Sequence, residues 1–157
     1  MHKHNDSQRP VRDLPIRARP GETVLLDSGR VFDVALAVSE ILARPQQFEC
    51  AEVVLSQFAG QIRGPTKLTF HYVAAMGRDD ARRPLLLGRQ DDGALLLLDG
   101  RHRAARSLQL GYAVISAWFL SASQVDAGGR VSRRPVSRSG CRPSRCVPGR
   151  SGPGRSS

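Results

Sequence analysis

The sequence predicts a small α+β (mixed α/β) domain, with helices packed on a short mixed sheet. Three observations carry this. Between Val31 and Leu120, apolar runs of strand length alternate with segments whose apolar residues recur at helical spacing. Two of those runs, residues 84–88 (PLLLG) and 94–98 (ALLLL), flank a short connector ending in Asp92-Gly93, a hairpin signal. The last run, residues 113–120 (AVISAWFL), follows a basic helix closed by Gly111.

Taken in order, residues 1–21 are polar and contain prolines, and are expected to form a flexible arm. Residues 22–49 read as an N-terminal extension, a strand plus a helix. The strand is 22–26 (ETVLL). Asp33 is placed to cap a helix running to about Ala43, with Val34, Ala37, Val38 and Ile41 on one stripe. Arg44-Pro45 ends it, because the residue before proline is pushed out of the α region.

A domain over residues 50–126 follows. Residues 52–55 (EVVL) read as its first strand. Gly64-Pro65-Thr66 is a turn expected to start a helix over 67–76, with Leu68, Tyr72 and Ala75/Met76 inward and Gly77 closing it. His71 falls just off that stripe, as a surface or packing histidine does. Asp79-Asp80 and Asp91-Asp92 sit in loop-like sequence as solvated turn residues. The four leucines 95–98 read as a strand buried on both faces, Asp99-Gly100 breaks it, and Arg101 to Leu110 reads as a helix. In the strand that ends the domain, Trp118 and Phe119 point to opposite faces.

Residues 127–157 change character. Arginine, serine, proline and glycine dominate, too little apolar surface to offset ordering entropy, and disorder is expected. Of the net charge of +10, residues 131–157 contribute seven arginines and no carboxylate, so residues 1–130 carry only +3. The chain uses 22 arginines and two lysines, a bias read first as genomic composition, from which a preference for phosphate contacts cannot be separated. Two readings of the tail stand: a basic segment that touches nucleic-acid backbones, or an out-of-frame product of GC-rich DNA. Cys141 and Cys146 offer two metal ligands with no second pair to complete a tetrahedral site, so no metal is expected. Three cysteines make no disulfide framework. No apolar run is long enough for a membrane span and the N-terminus lacks a secretory h-region, so the expected setting is cytoplasmic.

The candidate site is the turn between the leucine strand and the basic helix. Arg101, His102 and Arg103 crowd the first helical turn, where the macrodipole already places about half a positive charge. Asp99, read as the N-cap, offsets part of that, and an anion on the backbone N–H groups of that turn would offset the rest. A solvated basic helix start is the alternative.

With Leu97-Leu98-Asp99-Gly100-Arg101-His102-Arg103-Ala104-Ala105 between a strand and a helix, then Leu110-Gly111 and a last strand, residues 50–121 resemble the ParB/sulfiredoxin superfamily, specifically its stand-alone ParB-like ("ParB-like nuclease") domains. The resemblance implies a ParB/sulfiredoxin-like small mixed sheet with packed helices, and a nucleotide held by its phosphates at this turn. ParB proteins carry Gly-Glu-Arg-Arg there and bind CTP; sulfiredoxins carry Gly-Cys-His-Arg and bind ATP. Gly100, Arg101, His102 and Arg103 fall on that box. Gly100 would let the backbone approach the phosphates, and His102 and Arg103 would donate charge-assisted hydrogen bonds. Arg101 stands where sulfiredoxins have their nucleophilic cysteine, so sulfinic-acid reduction is not expected. Arg101 also replaces the ParB box glutamate, and nothing after Leu120 reads as a helix-turn-helix.

The expectation is therefore a CTP- or ATP-binding domain, with or without Mg²⁺, acting as a DNA-associated plasmid, phage or chromosome accessory. Two other classes stay open. One is phosphoryl chemistry, as a nuclease or a small-substrate kinase with Asp99 catalytic. The other is nucleic-acid binding through the tail. Arg103→Ala is expected to leave the fold intact, or to stabilise it by relieving repulsion at the helix start.

Overall fold

In the computed structural model, residues 15–64 and 68–130 are described. The first part of the expected arm, the Pro65-Thr66 turn with Lys67, and the tail from residue 131 with its two cysteines lie outside the described residues.

The chain first makes a two-stranded antiparallel ribbon. β1 (Thr23–Leu25) pairs with β2 (Val31–Asp33), Val24 opposite Phe32. Only β1 was foreseen; β2 is three residues long, below the length at which alternation can be read. Asp33 then caps α1 (Val34–Ala43) as expected, its Oδ1 accepting the Leu36 N–H at 2.8 Å. The buried side chains of α1 are Val34, Ala37, Val38 and Ile41, the predicted stripe. A 3-10 turn at Pro45–Gln47 leads into β3 (Glu49–Val54), which starts three residues earlier than expected.

A second 3-10 turn, Leu55–Phe58, buries both of its end residues and runs into the unforeseen α2 (Ala59–Arg63). α3 (Phe70–Ala75) replaces the longer helix expected over 67–76, and its buried residue is Val73 rather than Tyr72, which is 45% exposed. The short α4 (Arg78–Ala81) takes up Asp79 and Asp80, the pair assigned to a loop. Acidic residues suit that position, a helix first turn. β4 (Leu85–Arg89) and β5 (Leu95–Asp99) then form the predicted hairpin, closed by Gly93 at φ +82°. After α5 (Arg101–Gln109), β6 (Val114–Leu120) returns to the sheet and α6 (Ala122–Asp126) follows on a capping box made by Ser121 and Gln124.

The four-stranded sheet has the order β3-β6-β4-β5. β6 runs antiparallel to β3 and parallel to β4, and β4 and β5 are antiparallel. The sheet is thus mixed and small, with helices on both faces. Leu85, Leu86 and Leu87 in β4 are all buried, as a central strand requires. β5 is an edge strand, and Leu95, Leu96 and Leu97 are only half-buried, short of the expected burial on both faces.

Alternation divides the core in two. One face of the sheet, with Leu86, Leu98, Leu120 and Trp118, packs against Ile16, Phe32 and the α1 stripe. The other, with Leu85, Leu87, Ile115 and Phe119, packs against Phe58, Ile62 and Ala104 of the helices that carry the site. Trp118 and Phe119 take opposite faces as expected. Two boundaries move. Ile16, assigned to the flexible arm, is 1% exposed inside the first core. Residues 127–130, assigned to the tail, fold back on the ribbon, the Asp33 N–H donating to the Gly128 carbonyl at 3.3 Å.

Candidate functional site

The β5–α5 turn is built on one backbone feature. Gly100 is the N-cap of α5 at φ +102°, a left-handed conformation that favours glycine. A Cβ there would stand 2.5 Å from Leu85 Cδ2 and 3.0 Å from Arg103 Nη2, so the chain reverses against the floor of the sheet with no room for a side chain. Gly100 has no side-chain cap to offer, and Asp99, expected to cap, does not: it is the last residue of β5 and turns to Arg103 instead.

Each cation of the first turn has a protein partner. Arg103 Nη2 donates to Asp99 Oδ2 at 2.5 Å, the two side chains 11% and 17% exposed. Arg101 reaches away from its own helix, donating from Nε to the Ile62 carbonyl at 2.7 Å and from Nη2 to the Gly64 carbonyl at 3.5 Å. Those carbonyls belong to the end of α2, where a helix leaves acceptors without intrahelical partners and favours a cation. His102 Nε2 accepts a long bond from the Thr69 N–H at 3.5 Å, and Tyr72 stands edge-on to its ring, centroids 5.5 Å apart. Burial holds the His102 pKa below the ordinary 6.5, helped by the charges of Arg101 and Arg19 and opposed by Asp99. The conflict between cations and dipole is thus answered largely from within: one arginine is paired, one is sent to another helix, and the histidine is held towards its neutral form.

What remains is a cleft of about 850 Å³ over this turn. Asp99, Gly100, Arg101, His102 and Arg103, every residue singled out in the sequence, line it together. α3 supplies Tyr72 and Ala75, with Thr69 and Met76 from its ends. Sequence reasoning missed the third wall, Arg17, Ala18, Arg19 and Glu22 from the N-terminal segment, and Arg83 beside α4. Nothing local in the N-terminal residues points across some eighty positions of chain, and Arg83 sits in no motif. Five arginines and three carboxylates line the cleft, an excess of cations.

The residues fit a phosphate group. The first turn of α5 has no side-chain cap on its N–H groups, and a guanidinium retains donors after one carboxylate bond. Among the described residues no cluster of three or more histidine, cysteine or acidic side chains is placed to hold a metal ion. Among them, too, no helix is long and apolar enough to cross a membrane. Searches against family models, curated proteins and solved structures find no match to this chain.

Proposed function

We propose that this chain is a ParB-like domain that holds a nucleoside triphosphate, CTP or ATP, by its phosphates at the start of α5. The observation that carries the reading is the uncapped N-terminus of α5 behind Gly100, opening on a cleft where arginines outnumber carboxylates. Backbone N–H groups and the helix dipole favour a phosphate there, and the neighbouring guanidinium groups add charge-assisted bonds. Asp99 in this reading is a positioning residue: its bond to Nη2 aims the Arg103 guanidinium along the helix start. The wider role, an accessory of DNA on a plasmid, phage or chromosome, comes from the resemblance of the Asp99–Ala105 turn.

The experiment is isothermal titration of the full chain with CTP, ATP and GTP, each with and without Mg²⁺. The expected result is a dissociation constant below about 1 mM for CTP or ATP, weakening as salt is raised. Absence of binding by all three nucleotides overturns the proposal.

A further inference from the structure

The positive charge of the cleft does not come from the basic helix start alone. Arg103 is paired with Asp99, Arg83 Nε with Asp80 Oδ1 at 2.9 Å, and Arg101 donates to the carbonyls of α2. Arg17 and Arg19 differ: neither guanidinium has a carboxylate partner among the described residues. Glu22, the remaining acid of the cleft, accepts the backbone N–H of Arg19 at Oε2, 2.7 Å away.

These two arginines are held in place by a segment pinned at both ends. At one end Ile16 is buried in the core and Arg83 Nη1 donates to the Pro15 carbonyl at 3.2 Å. At the other, the Glu22 N–H donates to the Arg19 carbonyl at 3.0 Å, and the Glu22 carbonyl accepts the Val34 and Ala35 N–H groups at the start of α1. Between the pins burial alternates, Ile16 and Ala18 inward, Arg17 and Arg19 outward. A surface arginine kept only for solubility needs no such backbone clamp. Arg19 also acts on the site electrically, since its charge opposes protonation of His102.

We infer that residues 15–22 form a strap that receives the outer phosphates, and that Arg17 and Arg19 make the site prefer a triphosphate chain to a monophosphate. This rests on the nucleotide-binding reading above. A helix start accommodates one phosphate group within its first turn, where the dipole is felt. Further phosphates need further cations, and the strap carries two that have no carboxylate partner among the described residues. The shared chemistry is a linear triphosphate, which a nucleotide or inorganic tripolyphosphate both supply.

The test is titration of the full chain, at fixed ionic strength, with ATP and CTP, their di- and monophosphates, and tripolyphosphate. Arg17→Ala/Arg19→Ala is compared with Arg63→Ala/Arg130→Ala, which removes two exposed arginines that do not line the cleft. The native chain should prefer triphosphate to monophosphate at least about tenfold, and the strap variant should lose about tenfold on triphosphates and under about twofold on monophosphates. The control pair should change neither. Equal losses on all nucleotides, an equal loss in the control pair, or no loss in the strap variant overturns the strap's role and leaves the nucleotide reading standing. Tripolyphosphate bound and lost in the strap variant, with no nucleotide bound, upholds the strap and overturns the nucleotide reading. No ligand bound by the native chain overturns both.

Discussion

Asp99 and Arg103 join the last residue of β5 to the first turn of α5, Oδ2 accepting from Nη2 across a gap of four residues, with both side chains largely shielded from water. Removing either partner leaves a shielded charge without its match. Arg103→Ala is therefore expected to destabilise the domain by about 1–3 kcal/mol, below the cost of breaking a fully buried pair. This reverses the expectation drawn from the helix dipole alone. Urea denaturation of Arg103→Ala, Asp99→Asn and the double variant checks it. A double variant close to either single one shows the coupling, and additive losses refute it.

Gly100→Ala combines a left-handed backbone with a Cβ pressed on Leu85 and Arg103. The expected loss is about 2–4 kcal/mol, seen as a lower melting temperature. An unchanged melting temperature would mean that the β5–α5 turn has another conformation.

His102 has a sign that can be worked out. Its folded pKa lies below the ordinary value because burial, then Arg101 and Arg19, disfavour the imidazolium. The unfolded chain takes up the proton first as pH falls, so stability is fully present above about 6.5 and declines below it, down to the folded pKa. His102→Gln should lose less stability than the native chain between about pH 8 and pH 5. Thermal unfolding across that range measures both slopes, and parallel slopes would refute the link.

Gln61 covers the outer edge of the sheet. Its Nε2 donates to the Leu95 carbonyl at 2.8 Å and its Oε1 accepts the Leu97 N–H at 2.7 Å, so an α2 side chain stands in for a neighbouring strand. Gln61→Ala is expected to cost about 1–2 kcal/mol and to speed hydrogen exchange at Leu97. Native protection of that amide in the variant would refute the contact.

The β4–β5–α5–β6 unit was legible because its signals are local and strong: leucine runs, Asp92-Gly93, and Gly111 after a basic helix. Asp33 was legible as a cap for the same reason. The short elements α2 and α4 were not, since four or five residues carry no periodicity. α6 is a different case: Ser121 and Gln124 stand at capping-box spacing, a readable signal that the arginine-rich sequence beyond it masked. At the site, the turn residues could be named from sequence, but not what each side chain would do. Arg101 acts on α2 and Arg103 on Asp99 because the tertiary fold brings those acceptors within reach. Arg17 and Arg19 had no motif at all; the burial of Ile16 and the backbone bonds of Pro15 and Glu22 bring them to the cleft.

That buried isoleucine also sets where this protein can be cut. A fragment beginning at Cys50 would keep the recognisable strand–turn–helix unit, yet strip Ile16, Phe32, Val34 and Ile41 from the sheet face that holds Leu86, Leu98 and Leu120. Such a fragment would present a wide greasy surface to its neighbours and stick to them. A fragment that keeps this core intact therefore starts ahead of Ile16, and residues 16–41 supply as much of that core as the sheet does.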